Sequence, residues 1–146
     1  MKASVTVAPG GSTSEAVGLP ARHRLAWLFW PYLAFIVTVG TLAWLGALPI
    51  DIGSLDKVGH LVMVGLLAAL LDLWLRHRSL GPIPWAIVVI GGVSVIDECA
   101  QSLSPYRTFD LLDLACNAGG VVLLVTLGRV LRRSSGTARP ASTDTA

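Results

Sequence analysis

Charge is scarce in this chain, and so are the side chains that build disulfide and metal sites. Only 14% of its 146 residues are charged, whereas soluble domains carry about 25%. Its two cysteines, Cys99 and Cys116, lie in apolar segments and match no disulfide or metal-binding spacing. There is no HExxH or EF-hand pattern, so we predict no cofactor, and a divalent metal held by a histidine and carboxylates remains a minor alternative. No basic patch alternates with aromatic residues, which excludes nucleic-acid binding.

Apolar sequence is abundant instead. Apolar residues make up 53% of the chain and the mean hydropathy is +0.69. Four segments approach the roughly 20 residues that cross a hydrocarbon core of about 30 Å, at about 25–48, 58–75, 83–103 and 111–131. We predict an all-α integral membrane bundle of four transmembrane helices in one domain, residues 22–133. Residues 1–21 and 134–146 are rich in small polar residues and proline and are predicted to be disordered tails.

The arginines predict the topology of these helices. They precede the first span, separate the second from the third, and follow the fourth: Arg22, Arg24, Arg76, Arg78, Arg129, Arg132 and Arg133. The only basic residues in the other two loops, 46–57 and 102–110, are Lys57 and Arg107. Positive residues favour the cytoplasmic side, so both termini are predicted to be cytoplasmic and these two loops to face outward.

Polar residues gather at the predicted outer ends of the second, third and fourth helices. They are Asp56, Lys57, His60, Asp97, Glu98, Gln101, Arg107, Asp110, Asp113 and Asn117. Spacings of three and four residues place many of them on common helix faces. A charged side chain costs about 2.5–3.5 kcal/mol at the centre of a membrane helix, so such faces turn away from lipid. The pattern predicts a polar pocket that is open to the outside.

The order of these residues resembles the VanZ-like family. The pattern is Asp56-Lys57-x-x-His60, then Asp97-Glu98-x-x-Gln101, then Pro105-x-Arg107-x-x-Asp110-x-x-Asp113-x-x-x-Asn117-x-x-Gly120. It covers the second to fourth helices. The resemblance implies a small multi-pass protein of the bacterial inner or plasma membrane, and the family's namesake is linked to low-level resistance to teicoplanin.

Each polar residue has a candidate role and a structural alternative. A histidine suits a general base or a ligand equally; His60 is the candidate catalytic base, with Asp97 and Glu98 as candidate acids. The predicted substrate-binding residues are Lys57, Gln101, Arg107, Asp113 and Asn117. The fork of Arg107 suits a phosphate or carboxylate, but it would equally bridge nearby acids, and Asn117 would equally tie helices together. Asp56 and Asp110 are expected to be structural, with Asp110 capping the fourth helix.

Three functions follow as hypotheses. The first is a VanZ-like protein that acts on, or responds to, a lipid-linked or glycopeptide envelope compound; it includes an enzyme that uses the pocket. The second is a proton-coupled transporter subunit, because buried acids and histidines form proton relays. The third is a structural or regulatory partner in which the polar cluster only locks helices. The apolar inner halves of the third and fourth helices count against transport. The bilayer is the predicted partner, and the oligomeric state stays open.

Two further patterns concern packing. Asp72 and Arg76 are four residues apart, which predicts an ion pair at the inner end of the second helix. Small residues at 91–92, 115, 119 and 120 predict close helix contacts.

Overall fold

The computed structural model describes residues 21–47, 54–106 and 108–136, and most of both predicted tails lies outside these ranges. The described residues form five helices and one hairpin. The helices are α1 (Ala21–Trp27), α2 (Phe29–Trp44), α3 (Ser54–Trp74), α4 (Trp85–Gln101) and α5 (Leu111–Gly136). The hairpin pairs β1 (Ser79–Leu80) with β2 (Ile83–Pro84) in antiparallel register. The predicted third helix therefore begins two residues later than expected, and α5 continues into the residues assigned to the C-terminal tail.

The first apolar segment is divided in two by a proline. Pro31 lacks an amide hydrogen, and its ring collides with the carbonyl group four residues earlier, on Trp27. The helix α1 ends at that residue, and α2 begins at Phe29. The two remain one apolar run, Arg24–Trp44, which is long enough to cross a membrane.

Two other helices of the described structure meet the same criterion, at Lys57–Trp74 and Leu111–Ser134. The helix α4 has only 17 residues, about 25 Å of helix at 1.5 Å per residue. Large apolar side chains are exposed along every long helix, for example Ile96, which is 70% exposed. Such continuous apolar surface is typical of a lipid-facing bundle.

The helices α3 and α5 run parallel and pack closely. Lys57 contacts Asp113 near the start of both helices, and Asp72 contacts Arg129 towards the end of both. We call these two ends of the bundle the lysine end and the arginine end. The helix α4 begins after the hairpin at the arginine end and returns the chain to the lysine end. The α1–α2 segment likewise runs from Trp27, beside Trp74, to Trp44 at the lysine end.

Two glycines make the close packing of α3 and α5 possible. A Cβ atom built on Gly65 would lie 2.6 Å from the carbonyl oxygen of Gly120, and one built on Gly120 would lie 2.0 Å from that of Leu61. Only glycine permits backbones this close. The predicted contact at residue 120 is therefore present. A Cβ on Gly91, Gly92 or Gly119 would meet no neighbouring atom within 4 Å, so these glycines mark no close contact in the described structure.

The predicted ion pair between Asp72 and Arg76 is wrong. Asp72 is 3% exposed, and its carboxylate accepts a 2.6 Å hydrogen bond from Arg129 Nη2 and lies 2.6 Å from His77 Nδ1. The helix α3 ends at Trp74, so Arg76 no longer lies on the helix face that carries Asp72.

The hydrophobic core fills the space between the two polar ends. It consists of Phe29, Leu67, Ala68, Leu70, Leu71, Ala86, Ile90, Val121 and Val125. It thus separates the polar residues of the lysine end from Asp72 and Arg129.

Candidate functional site

Lys57 joins α3 to the start of α5. Its Nζ donates to Asp110 Oδ2 at 2.7 Å and to Asp113 Oδ1 at 2.8 Å. The Lys57 side chain is 31% exposed, that of Asp110 42% and that of Asp113 only 9%. One cation therefore faces two carboxylates, which leaves an excess negative charge in this group.

Asp110 caps α5. Its Oδ1 accepts a 2.8 Å hydrogen bond from the amide of Leu112, the second residue of the helix, which is the usual geometry of an N-cap aspartate. The hydrogen bond from Lys57 and the amide of Leu112 lower the pKa of this carboxyl group from its ordinary value of 3.8. Asp110 thus serves both as helix cap and as ion-pair partner.

Glu98 lies in the interior. Its side chain is fully buried, and its Oε1 accepts a 2.8 Å hydrogen bond from the amide of Asp110. Among the described residues no donor reaches its other oxygen, Oε2. A buried acceptor without a partner is uncommon in folded proteins, so this oxygen marks an unusual point of the cluster.

His60 lies one helical turn deeper than Lys57. Its Nδ1 is 3.2 Å from Asn117 Oδ1, and its Nε2 is 4.0 Å from Asp113 Oδ2. Because an amide oxygen only accepts hydrogen bonds, Nδ1 is the donor in this contact, and Nε2 is the ring nitrogen that faces Asp113. The buried side chain of Asn117 orients the ring in this way.

Asp97 and Gln101 form a hydrogen-bonded pair on α4. Asp97 is exposed, and its Oδ2 accepts a 2.9 Å hydrogen bond from Nε2 of the buried Gln101. The buried residues of α4 follow another stripe, which contains Ser94, Glu98 and Gln101. Arg107 and the side chain of Asp56 lie outside the described residues, so their predicted roles stay predictions.

Comparison with known proteins identifies a family. The family described as VanZ/LLP1 matches residues 12–132. The chain belongs to the VanZ/LLP1 family. No curated protein matches it, and no solved structure does. With three apolar helices long enough to cross a bilayer, it is a VanZ-like membrane protein.

The loop that precedes α5 is attached to the rest of the VanZ-like bundle at two places. Ser104 Oγ donates a 2.8 Å hydrogen bond to the carbonyl oxygen of Trp44. Gly46, with φ +69°, lies against the ring of Tyr106, where a Cβ would come within 2.8 Å of the ring. Sequence reasoning missed Ser104 and Gly46, because neither is charged and neither has a spacing that signals a contact.

The chemical capacity of the cluster is that of hydrogen bonding and proton exchange. It combines acceptor carboxylates, one ammonium group, an oriented imidazole and an amide. Among the described residues, no three histidine, cysteine or acidic side chains are grouped to hold a metal ion.

Proposed function

We propose that this VanZ-like protein crosses the cell membrane four times, with both termini in the cytoplasm and the lysine end outside. The alternating direction of α1–α2, α3, α4 and α5 supports this topology. If α3 and α5 both cross the bilayer in the same direction, α4 must cross it in the other, although it is short. The arginine content of the opposite end supports the orientation.

The lysine end then binds the polar head group of a cell-envelope compound and influences tolerance to glycopeptide antibiotics of the teicoplanin type. The observation that carries this proposal is the convergence of Lys57, His60, Asp113 and Asn117 from two helices, with Glu98 behind them. Side chains of this kind are costly in a membrane protein and are concentrated at functional positions.

The charge of the cluster indicates the kind of group it binds. Because Lys57 is already paired with two carboxylates, its charge is largely neutralised within the protein. The excess negative charge favours a ligand that donates hydrogen bonds, through hydroxyl, amide or amine groups, over a phosphate. An anionic group would depend on Arg107, whose planar fork binds phosphates and carboxylates in two-pronged geometry.

His60 gives the proposal an enzymatic version. With Nδ1 held by Asn117, Nε2 can accept a proton from a bound hydroxyl group and return it to a leaving group, as a general base and acid do. Asp113 would stabilise the charged ring. In this version Glu98 positions Asp110 rather than touching the substrate.

Proton-coupled transport has less support. A proton path would have to continue from His60 to the buried Asp72, and the core residues Leu67, Ala68, Val121 and Val125 lie between them. Ser94 is buried there, but its hydroxyl donates to the carbonyl oxygen of Ile90 in its own helix.

The test compares His60→Ala and Asp113→Asn with a matched control, Asp97→Asn. The control removes the same charge as Asp113→Asn from an exposed side chain whose described partner is Gln101. Each variant is expressed in cells that lack the native protein, and membrane abundance, thermal stability in detergent and teicoplanin tolerance are measured together. We expect stable protein with lost tolerance for His60→Ala and Asp113→Asn, and normal tolerance for Asp97→Asn.

Other results would separate the alternatives. If the cluster is only a structural lock, the two site variants will be depleted from the membrane or will melt at lower temperature. If stable His60→Ala and Asp113→Asn proteins confer normal tolerance, the site has no part in this function. Arg107→Lys adds a further test, because lysine keeps the charge but not the two-pronged fork. We expect it to be stable and to lose tolerance if an anionic group is recognised.

A further inference from the structure

A cavity of about 510 Å³ lies at the opposite, arginine end of the bundle, away from the proposed site. It opens between α1 and the end of α3. Its walls include Trp27, Leu73, Trp74, Arg76, His77 and Arg132. One wall is therefore aromatic and apolar, and the rest is basic.

The side chains of the two arginines that line this cavity take no part in the contacts that hold the described fold together. Within the described ranges, the guanidinium groups of Arg76 and Arg132 form no ion pair and no hydrogen bond, and both residues are exposed. Arg129 is different, because it is occupied by Asp72, by Ser79 Oγ at 2.8 Å and by the carbonyl oxygen of Arg78. Arg129 is thus structural, whereas the two arginines that line the cavity are available to a ligand.

The backbone at Arg76 is also unusual. Arg76 has φ +54° and His77 has φ +60°. The amide of His77 donates to the carbonyl oxygen of Asp72, and that of Arg76 to Leu73. This is the Schellman motif that ends many helices, and its first position after the cap, occupied here by Arg76, is usually glycine. An arginine at this position has a strained backbone, and such strain is common at functional sites.

We propose that this cavity binds the phosphate-bearing head group of an anionic phospholipid. Guanidinium groups bind phosphate in two-pronged geometry, and basic pockets between membrane helices bind anionic lipid head groups. The rings of Trp27 and Trp74 pack edge to face, with their centroids 4.9 Å apart. Tryptophan is enriched at the membrane interface. With Leu73 these two residues give the cavity an apolar wall, which suits the glycerol and acyl part of a lipid better than free phosphate. The inference is independent of the function proposed for the lysine end.

The experiment uses the purified full chain in detergent, titrated with phosphatidylglycerol or phosphatidylcholine. Bound lipid is counted by native mass spectrometry, and thermal stability is followed in parallel. We expect one phosphatidylglycerol molecule to bind more tightly than phosphatidylcholine. Arg76→Gly and Arg132→Gln should each weaken this binding on the order of fivefold, the effect of one basic residue near an anionic lipid.

Two features make the test specific. Arg133→Gln removes the same charge as Arg132→Gln from a neighbouring residue that does not line the cavity, and should leave binding unchanged. Arg76→Gly places the favoured residue at the left-handed position, so its melting temperature without lipid should equal or exceed that of the wild type. Loss of lipid binding in this variant is then not a loss of fold.

Three outcomes would overturn the proposal. The first is unchanged phosphatidylglycerol binding in both Arg76→Gly and Arg132→Gln. The second is an equal loss in Arg133→Gln, which would show a diffuse charge effect instead of a site. The third concerns the source of the phosphate: displacement of the lipid by millimolar inorganic phosphate would assign the cavity to a soluble anion.

Discussion

Glu98 and Asp97 are neighbours on α4 with opposite surroundings. Glu98 is fully buried and accepts a hydrogen bond from the amide of Asp110, whereas Asp97 is exposed and contacts Gln101. We expect Glu98→Ala to lower the free energy of unfolding by about 1–3 kcal/mol, because it leaves the half-buried amide of Asp110 without its acceptor. Glu98→Gln retains an acceptor oxygen and should cost less than Glu98→Ala. Chemical unfolding in detergent measures both, and equal losses for the two variants would contradict the positioning role.

Asp110 predicts a pH dependence with a defined sign. Its pKa is lowered in the folded state, chiefly by the hydrogen bond from Lys57. The folded state therefore gains stability from the ionised group above pH 3.8, and this gain is lost as the pH falls through the lower folded-state pKa. Asp110→Asn keeps a good capping side chain but removes the charge.

Melting temperatures between pH 2.5 and 6 test this. The Asp110→Asn variant should be less stable than the wild type near pH 6, and the difference should shrink towards the acid end. Asp97→Asn is the control and should follow the wild-type curve. A constant difference between Asp110→Asn and wild type at every pH would exclude the charge as its cause.

The sequence predicted which residues gather at the lysine end better than it predicted how they are arranged there. Spacings of three and four residues placed Asp56 with His60 on one polar stripe, and Asp110, Asp113 and Asn117 on another. The structure brings Lys57, His60, Asp113 and Asn117 together. The sequence analysis did not separate Asp97 from Glu98, since both lie at the same depth and about 100° apart on the helix. The polar stripe through Ser94 and Glu98 was the available signal.

At the scale of helices, the crossing of α3 and α5 predicts a pair of opposite effects at adjacent glycines. A Cβ on Gly120 would meet the Leu61 carbonyl oxygen at 2.0 Å, whereas one on Gly119 would meet nothing within 4 Å. We expect Gly120→Ala to destabilise the protein by roughly 1–3 kcal/mol or more, as overpacking does. Gly119→Ala should be neutral or stabilising by up to about 1 kcal/mol, because alanine is the better helix former.

Thermal unfolding of the two variants, measured side by side in one detergent, tests this prediction. Similar melting temperatures for Gly119→Ala and Gly120→Ala would mean that the two backbones are not in contact. Since the residues are neighbours, differences in expression or detergent would not explain opposite shifts.

The end of α3 shows why the spacing of Asp72 and Arg76 gave a wrong prediction. A separation of four residues places side chains on one face only while the helix continues. The Schellman motif ends α3 before Arg76, and Asp72 then finds Arg129, 57 residues away along the chain. No short-range pattern in the sequence predicts a contact between residues so far apart. The hairpin at 79–84 was also missed, because the third span was predicted to begin at residue 83, which lies in β2.

At the scale of the whole molecule, the direction of α4 decides the topology. Reporter fusions at residue 78 and within 102–106 should report opposite sides of the membrane, the first inside and the second outside. Fusions at the two termini should both report the inside. If the fusions at 78 and 102–106 report the same side, α4 does not cross, and the four-span topology fails together with the outward orientation of the lysine end.

Apolar content and length were enough to predict a helical membrane protein, because those two properties alone distinguish it from a soluble domain. The number of membrane crossings was harder to predict, since α4 is shorter than a full span and carries acids at its end. The sequence predicted a close contact at Gly120 but did not identify its partner, Gly65 on α3. Glycines that make no close helix contact are also common in membrane helices, and Gly119 is one of them here.

The pairing of α3 with α5 has a consequence for how the protein is made. The polar side chains Lys57, His60 and Asp72 find their partners 53 to 57 residues later in the chain. When α3 leaves the ribosome, none of these partners has been synthesised, and each unpaired charge in lipid is costly. We therefore expect the nascent α3 to remain in or beside the translocon until α5 arrives. A polypeptide that stops before Arg129 would leave Asp72 without its arginine and become a substrate for membrane quality control.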